Sequence, residues 1–258
     1  MKYLLYGITG LVVVTSGAWA QVVVNGAGSY EQNFDTLPTA TGAWENHTSL
    51  PGWFARTESE GGVATLRAGS GGGTTGGLYS FGYSQDSDRA LGTLTSPGTS
   101  GVWFGLALTN GTAHTLLLDE VSFFGEQWRS VAGLAEGLSV AWRVTAAMDF
   151  DQVMDWENGW QPIAGLQFNN PVNSPSGMSQ DGNDPANRTW IQQQLGLSWD
   201  AGEMLWLRWL DQENTGGDHG LAIDDLSLTF QTVPEPGMAG MLFLSLGGFW
   251  GMRCYRLR

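Results

Sequence analysis

Apolar residues in this chain recur at every second position, in short runs separated by glycine and other turn-forming residues. Residues 138–145 show this pattern most clearly, with the apolar set Leu138, Val140, Trp142 and Val144. Successive side chains of a strand point to opposite faces, so this alternation is typical of a strand with one buried face. No stretch keeps the 3.6-residue period of an amphipathic helix. The sequence therefore predicts an all-β fold.

Several stretches share the alternating pattern and form the set of predicted strands. The strongest candidates are Val102–Leu108, Thr115–Phe124, Leu138–Thr145, Leu205–Leu210 and Leu221–Phe230, and the shorter ones are Val22–Val24, Val63–Arg67 and Leu78–Phe81. About a dozen short strands with glycine-rich turns favour a jelly-roll-like sandwich of two sheets. A barrel or a propeller is the alternative, although no internal repeat supports a propeller. Residues 191–197 are compatible with a short helix or a loop.

The N-terminus has the features of a secretory signal. Lys2 precedes the apolar stretch 4–14, and Ala18 and Ala20 are small residues at the two positions that a signal peptidase reads. We expect cleavage after Ala20, so that Gln21 begins the mature chain. A retained transmembrane helix is the alternative, but the short run and its small-residue site favour cleavage.

The C-terminus combines three ordered features. They are the motif Val233, Pro234, Glu235 and Pro236, the uncharged run Gly237–Met252, and a basic end with Arg253, Arg256 and Arg258. A 16-residue helix rises about 24 Å, which is short for a bilayer core of about 30 Å, so local thinning or snorkelling would be needed. The arginines predict a cytoplasmic anchor by the positive-inside rule. A plain tail anchor or a buried core helix is the alternative.

This order of features resembles the PEP-CTERM sorting signal of Gram-negative bacteria, and the resemblance covers residues 233–258. It implies that an exosortase, an integral-membrane cysteine protease, recognises and processes the tail. The expected organisation is a signal peptide at 1–20, an extracytoplasmic β-sandwich domain at 21–232, and the sorting signal with a transmembrane helix at 237–252. The protein would be anchored in the inner membrane before processing and would then reach the cell surface or extracellular matrix, with the anchor either transient or retained.

The body carries a second resemblance. The segments that carry it, in order, are Asn33–Pro38, Leu50–Trp53, Gly77–Gly82, Asp88–Gly92 and Gly125–Arg129. The series is similar to an exported β-sandwich domain that accompanies PEP-CTERM tails and occurs in some secreted multidomain bacterial proteins. The similarity would cover most of residues 30–230. It implies architecture and export, and it brings no biochemical function with it.

The mature body is strongly acidic. Residues 21–232 contain 7 basic and 24 acidic side chains, which gives a net charge of −17. Such a charge repels nucleic acid and anionic lipid, and it suits cations or neutral glycans. The chain's one cysteine, Cys254, lies in the C-terminal tail, so the body has no disulfide and no thiol chemistry.

Catalytic motifs are almost absent. The three histidines of the body stand outside any HExxH motif: His47, His114 and His219. No Gly-x-Ser-x-Gly elbow occurs. The nearest carboxylates to a glycosidase pair are Asp119, Glu120 and Glu126, but strand alternation puts Asp119 and Glu120 on opposite faces. We therefore predict no catalytic residues and a non-enzymatic protein.

One acidic segment near the end of the body is dense in hard oxygen ligands. The candidate calcium ligands are Asp211, Asn214, Asp218, Asp224 and Asp225. Ca²⁺ takes six to eight oxygens in flexible geometry, which a loop and the strand after it can supply. Adjacent strand residues point to opposite faces, so only one of the last two can join a given site, and Glu31 or Asp35 could be recruited from the first strand. No cofactor is certain: a structural Ca²⁺ is one interpretation, and turn-capping by these side chains is the alternative.

The body contains 11 tryptophans. Trp156, Trp160 and Trp190 lie in polar, loop-like surroundings and are the candidates for stacking on sugar rings. Four others fall in strand patterns and are predicted core residues: Trp103, Trp142, Trp206 and Trp209. The alternative is that all of the tryptophans are packing residues.

Three functions remain open. The first is an exported, exosortase-processed surface or matrix protein that is non-enzymatic and associated with exopolysaccharide, to whose production the PEP-CTERM family is linked. The second is a carbohydrate-binding module, and the third is a secreted polysaccharide hydrolase. The expected partners are signal peptidase and exosortase during export, and extracellular polysaccharide afterwards.

Overall fold

Two β-sheets pack face to face in the computed structural model of the chain. The structure describes residues 12–15, 21–59, 61–132, 135–146, 159–174, 176–214 and 216–233, and for 12–15 and 21 it describes the backbone alone. The predicted transmembrane helix, the basic end, Pro234–Pro236, Ala18, Ala20 and Trp156 lie outside these ranges. Among the described residues no helix is long and apolar enough to cross a membrane.

The described residues form short and long strands with one 3₁₀ turn, Ala164–Leu166. In chain order the strands are β1 (Val12–Thr15), β2 (Gln21–Val24), β3 (Gly28–Gln32), β4 (Gly42–Ala43), β5 (Trp53–Thr57), β6 (Gly61–Gly62), β7 (Thr65–Gly69), β8 (Gly77–Phe81), β9 (Ala90–Leu94), β10 (Val102–Asn110), β11 (Leu116–Ser130), β12 (Gly137–Thr145), β13 (Gln161–Pro162), β14 (Phe168–Asn169), β15 (Met178–Ser179), β16 (Arg188–Trp199), β17 (Met204–Asp211) and β18 (Gly220–Thr232).

Each sheet contains nine of these strands. In sheet A the order is β1-β2-β10-β17-β12-β13, with β14 paired to β12, β5 to β10 and β6 to β5. In sheet B the order is β15-β11-β18-β9-β8-β7-β4, with β16 paired to β11 and β3 to β18. The prediction of an all-β, two-sheet sandwich is therefore confirmed.

Most of the predicted strands are confirmed, and one prediction is wrong. The five strongest candidates correspond to β10, β11, β12, β17 and β18; four of these strands are one to three residues longer than predicted, and β11 begins one residue later and ends six residues later. Residues 191–197 form neither a helix nor a loop, because they lie within β16, which pairs antiparallel with β11. Val12–Thr15, inside the predicted signal peptide, pairs antiparallel with β2.

The main core fills the space between the two sheets. Its centre is an aromatic group in which Trp53 and Phe104 each stack on Trp209, with ring centroids 5.9 Å apart in both pairs. The ring of Phe123, from sheet B, meets Trp209 edge-on at 5.7 Å. Alternation along the strands supplies these inward side chains, so the prediction that Trp209 is a core residue is confirmed.

A second apolar cluster lies on the outer face of sheet A. It consists of Phe54, Trp103, Ala107, Met204 and Trp206, each no more than 2% exposed. The prediction that Trp103 and Trp206 are buried is confirmed, but they face away from the space between the sheets. They alternate with Phe104, Leu205 and Leu207, which face the main core. Trp142, also predicted to be a core residue, is half-buried against the main core.

The outer face of sheet B carries a stacked row of rings. Tyr79 lies parallel to Phe81 at 4.9 Å, and Phe81 lies parallel to Trp128 at 6.1 Å. These residues come from neighbouring parts of β8 and β11, and they form a third buried cluster with Ala90, Leu94 and Ala222. This cluster lies next to the site described below, because Trp128 follows Glu126 on the same face of β11.

Candidate functional site

A row of side chains crosses three neighbouring strands on the outer face of sheet B. The register places Trp190 of β16 opposite Phe124 of β11, and Phe124 opposite Asp224 of β18. In β16 the apolar side chains of Ile191, Leu195 and Leu197 turn towards the core. Because side chains alternate along the strand, the side chains on the other face of β16 point away from the core.

Trp190 is the exposed member of this row. Its side chain is 47% exposed, whereas the other described tryptophans are buried or half-buried. The indole contacts the ring of Phe124 at a centroid distance of 4.8 Å, and its Nε1 donates a hydrogen bond of 3.3 Å to Oε1 of Gln192. The guanidinium of Arg188 lies 3.8 Å from the centroid of the Phe124 ring. The exposed indole therefore contacts an aromatic ring and an amide side chain, and the cation Arg188 packs on that aromatic ring.

The other two predicted glycan-binding tryptophans do not join this site. Trp160 is half-buried over the outer face of sheet A, where the guanidinium carbons of Arg143 and Arg208 lie 4.7 and 4.3 Å from its ring. It also meets Trp103 edge-on at 6.0 Å. Trp156 lies outside the described residues. The structure thus puts Trp160 and Trp190 on opposite faces of the sandwich.

Two buried carboxyl groups continue the row beyond Phe124. Glu126 is 0% exposed and Asp224 is 4% exposed. Burial raises the pKa of Glu126 to about 8 despite the hydrogen bond that it accepts from Trp128 Nε1 at 2.9 Å. Burial, followed by the nearby Glu126 and Asp225 carboxylates, raises the pKa of Asp224 to about 9. Both groups are therefore neutral acids near pH 7.

Beside these two acids the surface carries four more carboxylates: Asp35, Asp86, Asp88 and Asp225. Desolvation raises the pKa of Asp35, and the charges of Asp88, Asp225 and Asp86 raise it further. Desolvation likewise raises the pKa of Asp88, with added contributions from Asp86 and Asp225. We call these four residues and the buried pair Glu126 and Asp224 the acidic cluster.

A bulge in β18 brings Asp225 to this surface. The pairing with β11 shifts register between Ser122 and Phe124, and Asp225 has a φ of +48°. Its backbone N–H donates a hydrogen bond of 2.7 Å to Oδ1 of the preceding Asp224. Asp224 is buried and Asp225 is exposed, yet the bulge leaves both near Glu126. Simple alternation would have separated them.

The predicted calcium ligands are divided between two places. Asp211 and Asp218 accept hydrogen bonds from the hydroxyls of Thr93 and Thr95, at 2.9 and 3.0 Å, and lie close to Glu136. Asp224 and Asp225 belong to the acidic cluster instead. The side-chain amide of Asn214 donates to the Gln212 carbonyl.

Within the described ranges, no three His, Cys, Asp or Glu side chains are grouped so that they could hold a metal ion. A calcium site therefore stays a prediction. The carboxyl groups of Asp211 and Glu136 are nevertheless buried. Burial raises the pKa of Glu136 to about 7 and that of Asp211 well above its ordinary value.

Sequence reasoning missed the residues that support Trp190. Phe124 and Arg188 were not singled out, because residues 191–197 were not recognised as part of a strand. The signal was present in the alternation of Ile191, Leu195, Leu197 and Trp199 with polar residues, but the polar Gln193 occupies one of the inward positions. Of the predicted sorting motif, only Val233 is described, and its N–H donates to the carbonyl of Thr115 at 3.1 Å.

Comparison with known proteins gives resemblance of fold alone. No family model matches the chain, and no curated protein matches it. Solved structures similar to it include the CBM22-1 xylan-binding domain of Paenibacillus barcinonensis Xyn10C, with 13% identity, a TM-score of 0.34, and coverage of 82% of this chain and 99% of that one. The family 11 carbohydrate-binding module of Clostridium thermocellum has 9% identity and a TM-score of 0.27 over 77% of this chain and 99% of its own.

A third similar structure is TmCBM61 in complex with β-1,4-galactotriose, at 11% identity and a TM-score of 0.33 over 74% of this chain and 100% of that one. Carbohydrate-binding modules are thus among the solved structures that this chain resembles.

Proposed function

We propose that this chain is an exported, non-enzymatic protein whose jelly-roll-like β-sandwich binds extracellular polysaccharide through the surface around Trp190. The observation that carries the proposal is the 47% exposure of the Trp190 ring, in a domain that buries or half-buries its other described tryptophans. Leaving a large aromatic side chain in water forgoes the stabilisation of about 1.5–3 kcal/mol that burial would bring. An indole left exposed in this way is available to stack on a ligand.

The chemistry of the surface fits a sugar. An indole offers a flat apolar face to the C–H groups of a sugar ring, and its rigid side chain loses little entropy on binding. Gln192 and Gln194 follow Trp190 at alternate positions of β16, and amide side chains can both donate to and accept from hydroxyls. Phe124 contacts the indole from the opposite position of β11, and Arg188 packs on the Phe124 ring.

Binding is better supported than hydrolysis. A glycosidase needs two carboxyl groups in contact with the substrate. Glu126 and Asp224 are the neighbouring pair with strongly raised pKa values on this face, but they are 0% and 4% exposed. A sugar bound to the surface would not reach them without rearrangement of the protein.

Export and processing complete the proposal. The predicted signal peptide, the Pro-Glu-Pro motif and the basic end support passage across the inner membrane, with signal peptidase and exosortase as processing partners. A retained or transient anchor would place the sandwich domain among the extracellular polysaccharides that it is proposed to bind.

Trp190→Ala tests this function. We expect the purified domain to bind at least one polysaccharide on a glycan array, and the variant to lose about tenfold or more in affinity, because the stacking surface is removed. Met178→Ala is the control, since Met178 is 51% exposed on the same sheet, in β15. Unchanged glycan binding by Trp190→Ala, or no glycan bound by the wild-type domain, would refute the proposal.

A further inference from the structure

We infer that the glycan site has a second aromatic platform, Tyr83, and that it binds several consecutive units of a neutral, extended polysaccharide chain. The inference rests on the proposed function, since it takes the Trp190 indole as the first sugar platform. It adds a second binding residue and a class of ligand, which is a β-1,4-linked chain long enough to contact both rings.

The exposure of Tyr83 is the first argument. Its side chain is 44% exposed, close to the 47% of Trp190, whereas the other described tyrosines, Tyr30 and Tyr79, are 9% and 5% exposed. In the described part of the chain, Trp190 and Tyr83 are the aromatic side chains that remain exposed. Tryptophan and tyrosine rings offer a large contact area, and they lose little conformational entropy when a ligand binds.

The support of the two exposed rings is the second argument, because both rest on an aromatic side chain of β11. Trp190 meets Phe124 edge-on at a centroid distance of 4.8 Å. Tyr83 meets Trp128 edge-on at 6.0 Å. The backbone carbonyl of Tyr83 also accepts a hydrogen bond of 3.1 Å from Nη1 of Arg89, which is 1% exposed. Tyr83 is therefore fixed against the body of the domain.

The position of the two rings is the third argument. Phe124, Glu126 and Trp128 lie at alternate positions on the outer face of β11, and Trp128 Nε1 donates to Glu126 Oε2. Trp128 follows Phe124 by four residues, which at about 3.3 Å per residue is about 13 Å. Trp190 flanks β11 on one side, in β16, and Tyr83 follows β8, which lies on the other side beyond β18 and β9. The two rings therefore share the outer face of sheet B and lie farther apart than a disaccharide can bridge.

Polar groups lie between the two rings. Arg188 packs on the Phe124 ring, and its side chain remains 28% exposed. The carboxylate of Asp88 lies near Arg188 and accepts a hydrogen bond from the side chain of Asn183. A guanidinium donates, a carboxylate accepts and an amide does both, so the hydroxyls of a sugar chain between the rings would find both kinds of partner.

The surface also restricts the class of polysaccharide. Two platforms more than about 13 Å apart require a chain that stays extended. Chains of β-1,4-linked glucose, mannose or xylose are extended, whereas α-1,4-linked chains coil. The acidic cluster lies beside the two platforms, in a body with a formal charge of −17, and it would repel a chain of uronic acids. The ligand class is therefore a neutral β-1,4-linked polysaccharide.

Titration calorimetry with β-1,4-linked oligosaccharides of glucose, mannose and xylose tests the inference. Each sugar is used as a disaccharide and as a hexasaccharide. We expect the protein to bind at least one hexasaccharide about tenfold or more tightly than the disaccharide of the same sugar, because only the longer chain contacts both rings.

Two Tyr83 variants assign the effect of chain length to the second platform. Tyr83→Ala should weaken binding of that hexasaccharide about fivefold or more and leave binding of the disaccharide unchanged. Tyr83→Phe is the matched control: it keeps the ring and should bind the hexasaccharide within about twofold of the wild type. Trp190→Ala should weaken binding of both oligosaccharides.

A β-1,4-linked mannuronate hexasaccharide tests the restriction to neutral chains. It has the linkage of the mannose probe and adds a carboxylate to each unit. We expect it to bind about tenfold or more weakly than the best neutral hexasaccharide, because the surface beside the platforms is acidic.

The outcomes separate this inference from the proposed function. The inference is overturned if no neutral hexasaccharide binds, if the mannuronate probe binds as tightly as the best neutral one, or if Tyr83→Ala binds the hexasaccharide as tightly as the wild type. An equal loss in Tyr83→Phe and Tyr83→Ala would also overturn it, since the hydroxyl and not the ring would then be responsible. In each case the proposed function stands as long as the protein binds a glycan on the array and Trp190→Ala weakens that binding.

Discussion

Several carboxyl side chains in this protein are buried, although an ionised carboxylate is more stable in water. Glu126, Glu136, Asp211 and Asp224 are carboxyl groups with no more than 4% exposure. Burial of a carboxyl group favours its neutral form, which explains the raised pKa values. The actual net charge of a domain whose formal charge is −17 is therefore smaller in magnitude near neutral pH, because several of these groups hold protons.

This burial predicts an unusual dependence of stability on pH. The folded-state pKa values of Glu126, Glu136 and Asp224 are raised from ordinary values near 4 to about 8, 7 and 9. The folded state therefore binds more protons than the unfolded state, and the stability contributed by the neutral acids is lost as pH rises through these values. We expect the free energy of unfolding to fall between about pH 6.5 and pH 9, as measured by urea denaturation.

The lower limit of that window is set by histidine. Burial lowers the pKa of His47 to about 3, so this group contributes stability that is lost as pH falls below about 6.5, its unfolded value. Measurements above pH 6.5 therefore isolate the carboxyl groups. A flat or rising stability from pH 6.5 to pH 9 would contradict the assignment.

Glu126→Gln tests how much one of these buried carboxyl groups contributes to the pH dependence of stability. The amide oxygen of Gln can accept the Trp128 hydrogen bond without a charge to bury, so we expect the variant to be about 1–2 kcal/mol more stable than the wild type at pH 9. At pH 5 the two should be nearly equal. Glu120→Gln, half-exposed on the same strand, is the control.

At the scale of single elements, the sequence predicts strands well where one face is clearly apolar. β12 was predicted within one residue, because Leu138 and Val140 alternate with outward polar side chains over the whole strand. β16 was missed because the polar Gln193 occupies one of its inward positions, so that the apolar alternation is incomplete. The alternation of apolar and polar residues that identifies a strand is weak when some of the inward-facing residues are polar.

The candidate site was predictable only in part for the same reason. Trp190 could be selected from its polar surroundings, but its support by Phe124 and Arg188 depends on pairing between β11 and β16. The approach of Asp224 and Asp225 to Glu126 depends on a bulge, and strand alternation predicts the opposite for adjacent residues. Long-range register and bulges are properties of the folded sheets, so a local pattern does not reveal them.

The glycine-rich segment 69–77 is held more firmly in the structure than its composition predicts. Its composition alone predicts a flexible surface loop. In the structure it connects the parallel strands β7 and β8, and the carbonyl of Gly71 accepts a hydrogen bond from Arg129 Nη1 at 3.3 Å. The carbonyl of Ser70 accepts from the hydroxyl of Ser179. The loop is therefore fixed against β11 and β15.

Two neighbouring glycines of this loop provide a matched test. A Cβ at Gly71, where φ is +84°, would lie 1.7 Å from the backbone oxygen of Trp128, whereas a Cβ at Gly72 would meet nothing within 4 Å. We expect Gly71→Ala to reduce the free energy of unfolding by about 2–4 kcal/mol, and Gly72→Ala by less than about 0.5 kcal/mol. Equal effects in urea denaturation would show that the loop is not held as described.

At the scale of the whole molecule, the proposed export requires two cuts. Intact-mass spectrometry of the protein from its native cells measures both together. We expect a mature chain that begins at Gln21 and lacks most or all of residues 237–258, because signal peptidase and exosortase each remove a segment. Recovery of the full-length 258-residue chain from the cytosol would contradict export.

The central position of β18 determines how a tethered molecule would present its binding surface. The strand pairs with β11, β9 and β3, and the chain continues from Thr232 into the proposed anchor. Asp224 lies eight residues earlier on the same strand, which at about 3.3 Å per residue is about 26 Å. If the tail anchors the protein as proposed, β18 would separate the Trp190 row by about 26 Å from Thr232, the last residue of the strand before the proposed anchor.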